Sequence, residues 1–117
     1  EEDKILDHVR ALAPRFAERV RRLAAQALVG EARSVGLIGA VEIVRDKATK
    51  AQFEPAAKAA QHVVNQCLRH GLILRPLPGD VVGICPPLII TGDELDLLFD
   101  RLEKGLDDAV EQVPMAA

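Results

Sequence analysis

Apolar side chains recur every three or four residues along three stretches of this sequence, a spacing that places them on one face of a helix. In the first stretch the apolar positions are Ile5, Val9, Leu12, Phe16, Val20, Leu23 and Ala27. Pro14 lies inside this stretch, where it lacks an amide donor and crowds the preceding turn, so a kink or two abutting segments are expected near Ala13. Gly30 is the predicted end of this helix.

Two further helices are predicted later in the sequence. Pro55 suits the first turn of the earlier one and Gly71 suits its end. Its apolar positions are Ala59, Val63, Cys67 and Leu68. The later helix begins at residues 91–94, where Thr91 and Glu94 have the spacing of a capping box. Its predicted buried stripe is Leu95, Leu98, Phe99, Leu102, Leu106, Ala109 and Val110, and it is expected to fray before Pro114.

Runs rich in valine, isoleucine and leucine predict three strands between these helices. Residues 35–45 are apolar on both faces, which favours an inner position in a sheet. Residues 72–75 and 81–84 flank a turn that contains proline and glycine, the composition of a hairpin. The predicted order is therefore helix, strand, helix, strand, strand, helix. This order indicates one α+β domain of two layers, with helices packed on a small sheet.

The distribution of charge argues against nucleic acid as a partner. The 117 residues carry a formal net charge of -3. It arises from interspersed acids and bases, without the basic stripe that follows a nucleic-acid backbone. The densest basic run, at Arg19, Arg21 and Arg22, is expected to form a solvated helix face.

The sequence contains no run that approaches the roughly 18 consecutive apolar residues of a membrane span. Its first residues, Glu1, Glu2 and Asp3, do not resemble a basic leader followed by an apolar segment. A cytoplasmic protein without membrane contact is therefore expected, and the length suits a single domain.

A complete catalytic or metal-binding motif is not found in the sequence. His8, His62 and His70 are far apart and lack the spacing of a metal site. Cys67 and Cys85 have no CxxC spacing and are expected to be reduced thiols, and Cys85 is expected to be a small buried packing residue. No residue is therefore assigned to catalysis, to cofactor binding or to metal binding.

Arg75 is a candidate for binding an anion. It closes a strongly apolar run, residues 72–74, just before Pro76. A guanidinium at the end of a strand can offer two parallel donors to a carboxylate. An ion-paired or solvent-exposed arginine is the alternative interpretation from these residues alone.

Two longer motifs match the C-terminal end of a known family. Residues 29–55 read VGEARSVGLIGAVEIVRDKATKAQFEP, and residues 70–108 read HGLILRPLPGDVVGICPPLIITGDELDLLFDRLEKGLDD. They are similar to the pattern VGExRxxGLIGAxELVxDK and to the GLIxRPLGDxxxxxPPLIIT hairpin with its final helix. In this order and separation they resemble class III aminotransferases, often called omega-transaminases. The resemblance implies that residues 1–117 form the C-terminal small domain of a fold-type I enzyme.

The resemblance also implies an activity. Such enzymes transfer an amino group from an amine or amino acid to a keto acid, with pyridoxal phosphate carrying the chemistry, and they are usually homo-oligomers. The Schiff-base lysine of the family belongs to the large domain. The large domain of the same enzyme is therefore the expected partner of this chain. The lysines of this chain do not match the motif of the Schiff-base lysine: Lys4, Lys47, Lys50, Lys58 and Lys104. The isolated chain is therefore expected to bind no cofactor and to be inactive.

The arginine of the family's RPLG motif matches Arg75, which the resemblance places in one wall of the substrate cleft. It would pair with the carboxylate of a keto acid or amino acid and swing aside when the other substrate lacks that group. Here the motif reads RPLPGD, so that Pro78 enlarges the turn by one residue. Pro86 and Pro87 match the family's proline pair and are expected to shape the chain near the cleft.

A free-standing regulatory or dimerisation module is the competing interpretation. In that case a helix-covered sheet would bind a small ligand or a second subunit, and the order of elements is not far from ferredoxin-like modules. The lack of cofactor residues favours this interpretation, whereas the pair of family motifs argues against it. The reading frame upstream of Glu1 would discriminate between the two.

Overall fold

A computed structural model of the chain describes residues 2–53 and 58–110. In chain order its elements are α1 (Glu2–Leu23), β1 (Val29–Val35), β2 (Ile38–Ile43), α2 (Ala59–Arg69), β3 (Arg75–Leu77), β4 (Val81–Ile84) and α3 (Gly92–Ala109). The predicted α+β class is confirmed, with one strand more than the predicted order contained. The expectations at Pro55 and Pro114 lie outside the described residues. Within those residues, no helix combines the length and the apolarity needed to cross a membrane.

The four strands form one antiparallel sheet in the order β1-β2-β4-β3. Helices α1 and α2 pack against this sheet, and α3 packs against both helices. Alternate side chains of the central strands are fully buried on the helix side, namely Val41 and Ile43 of β2 and Val82 and Ile84 of β4. Because successive side chains of a strand point to opposite faces, the other face of the sheet is open. The two predicted layers are therefore present.

Helix α1 is continuous across Pro14, so the alternative of two abutting segments is wrong, and the kink near Ala13 stays a prediction. The helix ends at Leu23, so the predicted end at Gly30 is wrong. After Leu23 the backbone forms turns, because the amide of Gln26 donates to the carbonyl of Leu23 at 2.9 Å. The chain then enters β1, where Gly30 is a strand residue that packs against Val44.

The strand predicted at residues 35–45 is confirmed as β2, but its bounds are wrong, because Val35 belongs to β1 and the second strand starts at Ile38. Gly36 and Leu37 form the turn between them, and Gly36 has a φ of 59°, a left-handed conformation that favours glycine. The composition of β1 explains the error, since Glu31 and Arg33 alternate with small residues and have little strand propensity. The expected inner position is confirmed for β2, which lies between β1 and β4.

Helix α2 ends as predicted, before Gly71, whose φ of 83° is left-handed. Leu68 was predicted on the apolar face of this helix, but it is 58% exposed. Each residue turns a helix by about 100°, so the residue after the buried Cys67 points away from the core. Ala60 and Val64 are buried instead.

The second predicted strand, at residues 72–75, is displaced toward the turn. The amide of Leu72 donates to the carbonyl of Cys67 at 2.9 Å, which ties the segment after α2 to the helix end. Strand β3 therefore starts at Arg75 and includes Pro76. Proline has no amide to donate, and it is tolerated here because β3 lies at the edge of the sheet.

Helices α2 and α3 approach each other closely where Cys67 meets Gly105. A Cβ atom at residue 105 would touch the Cys67 sulfur and would lie 3.1 Å from the Cα and N atoms of Cys67. The absence of a side chain at Gly105 thus sets the distance between the two helices. Burial raises the pKa of the Cys67 thiol to about 12, so this thiol stays protonated near neutral pH.

Helix α3 begins with the predicted capping box. The Thr91 hydroxyl accepts a hydrogen bond from the Glu94 amide at 3.1 Å, and the Glu94 carboxylate accepts one from the Thr91 amide at 3.0 Å. Most of the predicted stripe is buried, at Leu95, Phe99, Leu102, Leu106 and Ala109. Leu98 and Val110 are partly buried against the same core.

An ion-pair network joins α1 to α3. The Arg19 guanidinium donates to Asp96 at 3.1 Å, to Asp100 at 2.7 Å and to Glu103 at 3.4 Å. The Arg15 guanidinium also binds Asp96 and, with a smaller contribution from Arg19, lowers the pKa of that carboxyl below its ordinary value. Arg19 is only 8% exposed, so the expected solvated basic face is wrong at this residue.

Candidate functional site

The open face of the sheet carries both charged and aliphatic side chains. We define it by the residues that alternate with the buried ones, namely Glu31, Arg33, Val35, Ile38, Ala40, Glu42, Arg75, Leu77, Val81 and Gly83. Val35 and Ile38 face each other at the end of the β1–β2 hairpin. Their side chains are 82% and 61% exposed. Large aliphatic side chains exposed together in this way are unusual on a surface without a partner.

Arg75 lies on this face at the start of β3, opposite Gly83 of β4. Gly83 has no side chain, and a Cβ atom there would approach Leu77 Cδ1 to 3.1 Å. Within the described ranges, no carboxylate forms a salt bridge with Arg75. Arg33 on the same face differs, since it is 2.9 Å from a Glu31 carboxylate oxygen.

Arg75 also lines a cleft of about 530 Å³. The walls of this cleft are mostly apolar, and they include Ile38, Ile73, Leu77, Cys85, Pro86 and Pro87. Among the described residues that line it, Arg75 alone carries a charge at neutral pH. No other charged side chain of this described lining would compete with Arg75 for an anion. In apolar surroundings its guanidinium also attracts an anion more strongly than it would in bulk water.

Cys85 lies in this cleft and is exposed, so its predicted burial is wrong. The alternation of β4 explains its position, because Ile84 is buried and the next residue turns to the other face. The same alternation was available in the sequence and would have placed Cys85 on the face opposite the buried Ile84. Pro86 and Pro87 follow directly and continue the wall.

The histidines lie apart from the cleft. His8 is 2.6 Å from the Ile90 carbonyl oxygen, and His70 is 2.6 Å from an Asp108 carboxylate oxygen. His62 is half-buried on α2. In the part of the chain that the structure describes, no group of three His, Cys, Asp or Glu side chains could hold a metal ion.

The described lining of the cleft contains no lysine. Of the five lysines, Lys47 donates from Nζ to the carbonyls of Gln26, at 2.9 Å, and Ala24. These lining residues therefore provide no amine for a Schiff base and do not fit pyridoxal phosphate by themselves. No residue of the cleft is assigned to cofactor binding.

Comparison with known proteins identifies the family. The model of the family described as aminotransferase class-III matches residues 1–106. The chain is 40% identical, over 106 residues, to the adenosylmethionine-8-amino-7-oxononanoate aminotransferase of Geobacter sulfurreducens, and the match covers 91% of this chain and 23% of that protein. It is 38% identical to the putrescine–pyruvate aminotransferase of Pseudomonas aeruginosa, with 96% and 24% covered.

A solved structure shows the same fold. The PMP-bound form of an aminotransferase from Vibrio fluvialis matches with a TM-score of 0.88 and 41% identity, over 95% of this chain and 24% of that one. The chain thus spans about a quarter of the length of the proteins that it matches. Because the family model, the sequences and the fold agree over nearly all of its length, this chain belongs to the class III aminotransferases.

Proposed function

We propose that residues 1–117 form the C-terminal small domain of a pyridoxal-phosphate-dependent transaminase and supply one wall of its substrate cleft. The observation that carries this proposal is Arg75, the charged residue of an apolar cleft in a domain with this family's fold. The substrates would be an amine or amino acid and a keto acid. The same proposal includes a homo-oligomer located in the cytoplasm. These two properties rest on the resemblance to the family.

Arg75 would bind the carboxylate of a keto acid or amino acid. Its guanidinium is exposed at the edge of the sheet and has two N–H groups that can donate in parallel to one carboxylate. The apolar wall around it would exclude water from the pair, which strengthens the attraction. When a substrate lacks the carboxylate, Arg75 has no ion-pair partner in the substrate, and its long side chain is free to turn toward solvent.

The amino-transfer chemistry itself would come from pyridoxal phosphate, which supplies an electron sink when it is bound. In this proposal the residues that hold the cofactor lie outside this chain. The contribution of the chain is recognition, because Arg75 orients one end of the substrate and the apolar wall contacts its body.

This division of roles predicts the outcome of a titration of the isolated chain with pyridoxal phosphate. We expect no saturable, stoichiometric lysine adduct after borohydride reduction, because no lysine lines the described cleft. Absorbance and mass spectrometry of the reduced chain measure this. A single saturable adduct at one lysine would contradict the proposal and would mean that the chain builds its own cofactor site.

We further propose that the open face of the sheet meets the large domain of the same enzyme. The large aliphatic side chains Val35 and Ile38 are more than half exposed there. The relatives are about four times longer than this chain, so they contain ample sequence to cover such a face. Burial of these side chains against another domain would stabilise the complete enzyme through the hydrophobic effect.

Without that covering domain, the isolated chain is expected to self-associate as its concentration rises. Sedimentation velocity measures this directly. Val35→Glu with Ile38→Glu should shift the chain toward monomer, because two charges would then have to be desolvated in the contact. Leu68→Glu is the matched control, since Leu68 is 58% exposed on α2, on the helix side of the sheet. A monomeric wild-type chain at high concentration would contradict this prediction.

A further inference from the structure

The N-terminus of α2 receives its cap from another part of the fold. Lys58 occupies the N-cap position with a left-handed backbone, φ 49° and ψ 50°, and its side chain forms no capping hydrogen bond. The first turn of α2 contains no acidic residue. The first amides of a helix have no partner within the helix and need acceptors from elsewhere. They also form the positive end of the helix dipole, where a carboxylate is stabilising.

Asp80, in the turn between β3 and β4, provides such an acceptor. One of its carboxylate oxygens accepts a hydrogen bond from the Ala60 amide at 3.3 Å. Its main-chain carbonyl accepts one from the Ile43 amide at 2.8 Å. Asp80 thus joins the turn to α2 through its side chain and to the end of β2 through its backbone.

The backbone of Asp80 is unusual as well. It has a φ of 55°, and Gly79 before it has a φ of 83°. Aspartate tolerates this left-handed region better than most residues do, because its short polar side chain can form hydrogen bonds close to its own backbone. The turn therefore holds Asp80 in a conformation that directs its carboxylate to α2.

We propose that Asp80 is a positioning residue for Arg75, an inference that rests on the proposed carboxylate-binding role of Arg75. Strand β3 has only three residues and lies at the edge of the sheet. Pro76 in its middle has no amide to donate. So short a strand depends on the turn that follows it, and Asp80 fixes that turn to two other elements.

Loss of this anchor allows the turn and β3 to move relative to the cleft. The Arg75 guanidinium then samples more positions, and fewer of them suit a bound carboxylate. The effect is selective, because a substrate without a carboxylate does not use Arg75. Asp80 therefore acts on recognition of the acid substrate and not on the chemistry itself.

The test uses a complete class III aminotransferase whose C-terminal small domain has this sequence. Asp80→Gly removes the carboxylate but suits a positive φ, whereas Asp80→Asn keeps both an acceptor oxygen and tolerance of that φ. Asp80→Gly removes a hydrogen bond to a charged group, so it should raise KM for a keto acid about five- to tenfold and leave kcat with a carboxylate-free amine nearly unchanged. Asp80→Asn should stay within about twofold of the wild type for both substrates.

The double variant Arg75→Ala/Asp80→Gly decides whether Asp80 acts through Arg75. We expect its KM for the keto acid to equal that of Arg75→Ala alone, because two residues that act through one contact are not additive. A further five- to tenfold rise would overturn the positioning role, and so would an equal loss of activity with both substrates. If Arg75→Ala alone leaves KM unchanged, the proposed function of Arg75 fails first and the role of Asp80 fails with it.

Discussion

Arg75→Ala, in a complete class III aminotransferase that carries this sequence, is expected to raise KM for a keto acid about a hundredfold. Hydrogen bonds to a charged group contribute roughly 1.5–3 kcal/mol, which corresponds to a factor of about 10 to 150 in affinity. The upper part of this range applies because Arg75 lines an apolar cleft without another charged residue in its described lining. Steady-state kinetics with the keto acid measures the change.

Two comparisons make this experiment specific to Arg75. Arg75→Lys should recover only part of the lost affinity, because lysine keeps the charge but not the two parallel donors. Arg21→Ala is the control, since Arg21 is a 72% exposed arginine on α1 that pairs with Glu18. The half-reaction with a carboxylate-free amine should be unaffected by all three variants. An equal rise in KM for both substrates would contradict carboxylate recognition.

Local signals in the sequence predicted the helices well. Thr91 and Glu94 form a capping box because both partners lie within one helical turn, so nothing outside the segment has to be known. The buried face of α1 at Phe16 and Val20 follows from spacing alone in the same way. Predictions of this type need no information about the rest of the fold.

Features that depend on distant partners were predicted less well. From the sequence, Arg19 is expected on a solvated helix face. It is buried instead, because three acids of α3 form ion pairs with it. Strand β1 has little strand propensity and forms because β2 supplies its hydrogen bonds. The capping of α2 by Asp80 joins residues 20 positions apart, and helical or strand periodicity does not report such contacts.

For the candidate site, the sequence indicated Arg75 but not the surroundings that make it suitable. The apolar run before it predicted an arginine at the end of a strand, whereas the structure has it at the start of β3. The predicted burial of Cys85 is wrong because it overlooked the alternation of β4, which turns Cys85 away from the face on which Ile84 is buried. The apolar lining of the cleft arises from segments on both sides of the hairpin, and only their packing in three dimensions brings them together.

Phe99→Ala is expected to reduce the free energy of unfolding of the chain by about 3–5 kcal/mol, the usual cost of removing a buried phenylalanine side chain. Phe99 is fully buried between α1 and α3. Its ring meets that of Phe16 edge to face, with 5.3 Å between the centroids, and the Arg19 guanidinium lies 5.4 Å from its centre. The sequence has three phenylalanines and no tyrosine or tryptophan, so few other large side chains could fill the cavity.

Chemical denaturation monitored by circular dichroism measures this loss. Domains of this size are stable by about 5–15 kcal/mol, so Phe99→Ala could unfold the chain, and Phe99→Leu, with an expected loss of about 1–2 kcal/mol, serves as the milder variant. Leu97→Ala is the control on the same helix, because Leu97 is 47% exposed and should change stability by less than about 0.5 kcal/mol. A loss below about 1 kcal/mol for Phe99→Ala would contradict the prediction that this side chain contributes strongly to the packing of α1 against α3. In that case the ion pairs of Arg19 with the α3 carboxylates, which this variant leaves in place, would hold the two helices together.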